Sequence, residues 1–95
     1  MVTHIVIFTW APGVSSEQIA EFGSEMDRMA AEFSATMSIR HGPDLALREG
    51  NGDYALVASF ADHAAWSAYQ AHPRHQAFVR DFITPIQASR LTIQF

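Results

Sequence analysis

The chain has 95 residues, 48% of them hydrophobic, with a formal net charge of −4 at pH 7; it reads as one small soluble domain with no apolar run near the roughly 18 residues of a membrane span. Its six basic residues are all arginine and lie scattered through an acidic sequence, which argues against a nucleic-acid partner because phosphate binding needs clustered cations. With no cysteine and no lysine, the chain has no disulfide, thiol nucleophile, thiolate metal site or Schiff-base amine.

Residues 2–10 alternate, with Val2, His4, Val6, Phe8 and Trp10 on one face and Ile5 and Ile7 on the other. This predicts a strand that is apolar on both sides. No basic segment precedes an apolar one at the start, so no signal peptide is expected and the expected location is the cytoplasm. Pro12 and Gly13 break the strand, and Ser15 with Gln18 three residues later forms a capping-box signature. Ile19, Phe22, Met26, Met29 and Phe33 then step by three and four, which predicts a helix with one buried stripe ending near Phe33.

A weaker second strand is expected from Thr36 to about His41, ended by Gly42 and Pro43, and the segment 44–52, with Glu49, Gly50, Asn51 and Gly52 followed by Asp53, reads as an exposed turn. Tyr54, Leu56, Ala58 and Phe60 alternate against Ala55, Val57 and Ser59 in a third strand, and Asp62 is placed to cap the next helix. That helix should end near Gln70. Pro73, with its fixed φ and missing N–H, suits the first position of another helix, which makes His72 the cap between the two. From His75, the residues Phe78, Val79 and Phe82 fall at i+3, i+4 and i+7, one buried helical face. Arg90, Thr92 and Gln94 alternate with Leu91, Ile93 and Phe95 in a closing strand.

The order β-α-β-β-α-β, with the second helix broken, is that of an α+β ferredoxin-like fold: one four-stranded antiparallel sheet with helices on one face. The uncovered face should be polar in a monomer, yet Ile5, Ile7, Val57 and also Ile39 are assigned to it. A homodimer packed sheet to sheet is therefore expected.

The segment Tyr69-Gln70-Ala71-His72-Pro73-Arg74-His75 carries the chemistry. Tyrosine, with a pKa near ~10, is a proton donor at neutral pH, and histidine, near ~6.5, can accept a proton there. His75 faces inward with the aromatics, and Tyr69, three residues after Trp66, lies on an apolar side. Two readings of each residue stand: an acid–base pair, or a buried histidine bonded to a carbonyl beside a core tyrosine. His4 is either a pocket group or a satisfied core polar residue. His72 reads as a helix cap ahead of any catalytic part. His72 and His75 have a metal-like spacing, but further ligands could come only from the distant His4, His41 or His63, and no metal is expected.

His4 within Met1-Val2-Thr3-His4-Ile5-Val6, the strand Asp53-Tyr54-Ala55-Leu56-Val57, and Tyr69-x-x-His72-Pro73-x-His75 with Phe78 resemble the stress-responsive dimeric α/β-barrel (Dabb) family across essentially the whole chain. They are similar in motif to polyketide cyclases of the olivetolic acid cyclase type. The resemblance implies a ferredoxin-like fold, a face-to-face dimer, and an aldol-type cyclisation in which the residues matching Tyr69 and His75 are the catalytic pair and that matching His4 lines the pocket. Tyr54 departs from those cyclases, which carry a histidine there, so substrate identity does not transfer.

The expectation is a cofactor-independent enzyme of the cyclase, lyase or isomerase kind. His75 and Tyr69 would be catalytic, and His4, Tyr54, Leu56, Phe22, Met26, Phe78 and His72 would bind a small apolar or polyketide-like carbonyl compound. The alternative is a noncatalytic stress-associated homodimer that binds an apolar small ligand.

Overall fold

Alternation in residues 2–10 places β1 (Val2–Trp10) at the heart of the sheet in a computed structural model that describes residues 1–95. The Ser15–Gln18 capping box opens α1 (Ser16–Glu32): Ser15 Oγ accepts from Gln18 N at 3.1 Å, and Gln18 Oε1 accepts from Ser15 N at 2.9 Å. Strands β2 (Met37–Pro43) and β3 (Tyr54–Phe60) follow. Next come α2 (His63–Ala71), α3 (Pro73–Phe78), a π turn (Val79–Ile83) and β4 (Gln87–Gln94). All sheet pairs are antiparallel in the order β2-β3-β1-β4, with the helices covering one face. This is the ferredoxin-like arrangement.

The core lies between that face and the helices. Val6, Phe8, Leu56, Ala58 and Phe60 of the sheet meet Phe22, Met26 and Met29 of α1 and Phe78 of α3, all buried. No helix is long and apolar enough to cross a membrane.

Three details differ from the sequence reading. Gly42 and Pro43 do not end the second strand but continue it, opposite Ala55 and Tyr54. Strand β2 is an edge, so the N–H that proline lacks need not serve a second neighbour. Ile39 is not on the open face: it pairs with Ala58, and its neighbour Arg40 pairs with Val57 on the outside. A one-residue difference in register moves a side chain across the sheet.

The third difference is the π turn, in which Thr84 N donates to Val79 O at 2.9 Å, an i→i+5 bond. The extra residue shifts the inward face by one, so that Ile83 joins Phe78 as fully buried while Val79 and Phe82 are only partly so.

The outer face of the sheet is apolar, as Ile5, Ile7 and Val57 suggest. Register adds Leu91 beside Ile7 and Ile93 beside Ile5, and with Phe95 these three are 58–75% exposed.

Candidate functional site

Asp62 starts α2 by accepting Ala65 N on Oδ1 at 2.8 Å. After nine helical residues the helix stops at His72, whose backbone is extended and whose Nδ1 accepts Arg74 N at 3.0 Å, so that one residue terminates α2 and caps α3. Pro73 then begins α3 without an N–H to satisfy. This junction brings Tyr69 and His75 together, with ring centroids 4.3 Å apart and planes inclined by 50°. The pair meets by ring contact; the tyrosine hydroxyl is not bonded to the imidazole.

The junction is anchored from both sides. Tyr69 is 7% exposed and lies edge-on to Phe33 and tilted against Phe60, with centroids at 5.1 and 5.3 Å. Arg74, next to His75, reaches across to α1, where Nε bonds Glu32 Oε2 at 2.9 Å and Nη2 bonds Glu25 Oε1. Arg28 Nη1 holds the other Glu25 oxygen at 2.5 Å.

Between the junction and the sheet is a cavity of about 260 Å³. It gathers His4, Met26, Leu56, Tyr69, His75 and Phe78, six of the nine residues selected from the sequence. Phe22, Tyr54 and His72 are not on its wall. Phe22 is fully buried at the hub of an aromatic cluster, 5.0–5.7 Å from the rings of Phe8, Trp10, Tyr54 and Phe78. The Tyr54 hydroxyl is 2.6 Å from His41 Nδ1, beneath Gly23, where an added Cβ would come within 3.1 Å of it. His72 is committed to its capping bond and packs edge-on against Phe33.

The cavity also takes in residues not selected from the sequence, among them Ile39, Trp66, Gln70, Arg90, Thr92 and Gln94. The alternation of β4 does separate Arg90, Thr92 and Gln94 from Leu91, Ile93 and Phe95, but a polar set on a closing strand ordinarily faces water. Here it faces the helices. Gln94 Nε2 lies 2.8 Å from His4 Nδ1, a pairing across 90 residues of sequence.

The electrostatics suit proton transfer. Burial pushes the His75 pKa below its ordinary 6.5; the nearby Gln70 backbone pulls it back, while His4 and Arg90 push it further down. The ring is therefore a neutral base at pH 7. Burial raises the Tyr69 pKa far above 10, against a smaller opposing pull from Arg74, so the phenol keeps its proton. His4 is lowered by burial first and Arg90 second. His75 Nδ1 and Trp66 Nε1 are both buried without a well-formed hydrogen bond, which in a native interior calls for a partner from a ligand or water.

A larger, more open hollow of about 580 Å³ lies near the 44–52 loop, lined by residues such as Ile7, Pro43, Leu45 and Gly52. It has no histidine, and its one carboxylate, Asp44, accepts from Ala46 N and Asn51 Nδ2. Size alone does not make it the chemical site. No three His, Asp or Glu side chains converge as metal ligands.

Residues 2–95 match the model of the stress responsive A/B barrel domain, Dabb. A dimeric ferredoxin-like protein of unknown function from Thermobifida fusca is 32% identical, with 99% of this chain and 88% of that chain covered and a TM-score of 0.90. A Dabb-family protein with a ferredoxin-like fold from Mesorhizobium loti is 24% identical (99% and 93% covered, TM-score 0.78). The hydroxynitrile lyase of Passiflora edulis is 19% identical (99% and 90% covered, TM-score 0.84). At those two identities the likeness is one of fold. No curated protein matches the sequence. The family model spanning nearly the whole chain, with the Thermobifida relative, identifies this chain as a member of the stress responsive A/B barrel (Dabb) family.

Proposed function

We propose that the chain is a cofactor-independent enzyme of the lyase, isomerase or cyclase kind that transfers a proton next to a carbonyl group. The observation that carries this reading is the Tyr69–His75 pair on the wall of an apolar cavity, with a neutral imidazole beside a protonated phenol. In the proposed step a ring nitrogen of His75 takes a proton from the carbon beside the carbonyl. The C–H electron pair moves into a C=C bond, the carbonyl π pair moves to oxygen, and Tyr69 donates a hydrogen bond to that oxygen. A positioned base contributes roughly 10²–10⁴ in rate, and a donor aimed at the developing oxyanion roughly 10²–10³.

A cavity of about 260 Å³ lies just under the usual ~300–1,000 Å³ of ligand pockets, which favours a small carbonyl compound over a long polyketide chain. That a hydroxynitrile lyase is built on this fold is compatible with carbon–carbon lyase chemistry here.

We also infer a homodimer formed through the outer sheet face. Ile5, Ile7, Val57, Leu91, Ile93 and Phe95 make a contiguous apolar patch of the kind that marks a partner surface, and similar proteins are described as dimeric.

The test of the chemistry is hydrogen–deuterium exchange in heavy water on a panel of β-dicarbonyl compounds, followed by NMR. Wild type should exchange the carbon-bound protons faster than buffer, and His75→Ala and Tyr69→Phe should each lower the rate at least about 100-fold. Exchange at the buffer rate for every compound, or exchange unchanged in both variants, would remove the reading.

A further inference from the structure

Gln70, His75, Val79 and Arg90 border both the 260 Å³ cavity and a second hollow of about 390 Å³ on its far side. They form a doorway, with Tyr69 on the inner side only. Charge around it is one-sided: the chain has ten carboxylates and six arginines, yet no Asp or Glu lines either space, while Arg80 and Arg90 do. Arg80 is engaged by Asp81 at 2.9 Å. Arg28 and Arg74 are likewise bonded to glutamates. Arg90 stands on β4 opposite Phe8, a buried residue of the helix-facing side, and makes neither a salt bridge nor a side-chain hydrogen bond.

We propose that the doorway is an anion subsite: the ligand is a small carbonyl compound bearing an oxyanion group, carboxylate or phosphate, which Arg90 holds while the carbonyl end lies inside against Tyr69 and His75. This rests on reading the inner cavity as the ligand site. A guanidinium offers a planar fork of donors that matches two oxygens of such a group. At the rim of an apolar cavity its attraction for a negative charge exceeds that in open water, and a neutral ligand, offering only an uncharged acceptor, would gain less from it. Arg90 is close enough to both bases to disfavour protonation of His4 and His75. It is therefore also placed to offset the negative charge that an enolate would add beside a carboxylate. In an acidic protein, a free arginine at the mouth of the base-bearing cavity selects for acids.

The experiment is an NMR titration of the His4 and His75 ring signals with levulinate, with its neutral isostere 4-oxopentanamide, and with hydroxyacetone phosphate, in wild type, Arg90→Gln and Arg90→Lys. Levulinate or the phosphate should bind wild type roughly 10- to 100-fold more tightly than the amide; the tighter of the two identifies the oxyanion. That preference should fall to near unity in Arg90→Gln and be partly restored in Arg90→Lys. Equal binding of acid and amide to wild type, a preference that survives Arg90→Gln, or no binding of any of the three would overturn the proposal. The wild-type comparison stands whatever the variants do to folding. Because the readout is binding, an acid preference without dicarbonyl exchange would remove the proton-transfer reading and leave the subsite. Exchange of neutral diketones without an acid preference would do the reverse.

Discussion

The Tyr54 hydroxyl lies 2.6 Å from His41 Nδ1, and the other nitrogen of that ring lies 2.5 Å from Asp27 Oδ1. Burial, then the Asp27 charge, raises the Tyr54 pKa, so the phenol keeps its proton, and the His41 ring bridges that hydroxyl through Nδ1 and the Asp27 carboxylate through Nε2. The chain of bonds ties α1 to β2 and β3. Tyr54→Phe should lower stability by about 1–2 kcal/mol by leaving Nδ1 unpaired. Ligand binding in the Tyr69–His75 cavity should be unchanged, because Tyr54 is off its wall. Urea denaturation and ligand titration on the same variant check both halves.

Gly23 gives a sharper version of the same test. Replacing a helical glycine with alanine stabilises by roughly 0.5–1 kcal/mol, but the new Cβ would stand 3.1 Å from the Tyr54 hydroxyl, which His41 holds in place. Overpacking of this kind costs about 1–3 kcal/mol. Gly23→Ala should therefore be net destabilising in wild type and neutral or stabilising in Tyr54→Phe. Denaturation of the two single variants and the double variant would expose the change of sign.

Glu25 is 8% exposed on α1 and joins Arg28 to Arg74. Burial pushes its pKa up, but the bonds from Arg28 and Arg74 outweigh that and bring it below 4.5. A lowered carboxylate pKa adds stability that is present above the unfolded value and lost as pH falls through the folded one. Arg74→Ala should cost about 2 kcal/mol at pH 7, well under a fully buried pair because the rim is partly hydrated. The difference from wild type should shrink below about pH 4. Since Arg74 adjoins His75, the same variant should also broaden the His75 NMR signals.

The lowered pKa of His75 sets the pH dependence of the proposed chemistry. Exchange should rise with a midpoint below 6.5 and be flat from there towards pH 8. The unfolded chain takes up this proton near 6.5 while the folded chain resists it, so stability falls as pH drops below 6.5 and levels off once folded His75 also protonates. His75→Phe should flatten that part of the stability profile. Arg90→Gln should move the His75 and His4 midpoints upward in an NMR titration, since the Arg90 charge holds both down.

Ile5 is flanked on the outer face by Val57 and Ile93. Ile93→Arg should weaken self-association by about 100-fold or more, since a buried unpaired charge is costly in a dimer and harmless on an exposed strand. Sedimentation at micromolar concentration should give a dimer for wild type and a folded monomer for the variant. A wild-type monomer there would dispose of the interface.

The local devices were legible in the sequence because each is set by near neighbours. Ser15 and Gln18 start α1, Asp62 starts α2, and His72 with Pro73 ends one helix and begins the next. The alternation of β1 and β3 likewise follows from a two-residue period that neither strand can escape, and together with the helical stripes it carries the ferredoxin-like order. Tertiary structure alone decided the rest. The register of β2 turned Ile39 inward, and one added residue in the π turn brought Ile83 rather than Phe82 to the core. The choice of which buried aromatics border empty space drew Phe22 and Tyr54 away from the cavity. Arg90 and Gln94 reached it because β4 lies beside β1, although almost the whole chain separates Gln94 from its partner His4. Periodicity says which side of an element is inward; only the packing of elements distant in sequence determines whether that side meets another side chain or a cavity.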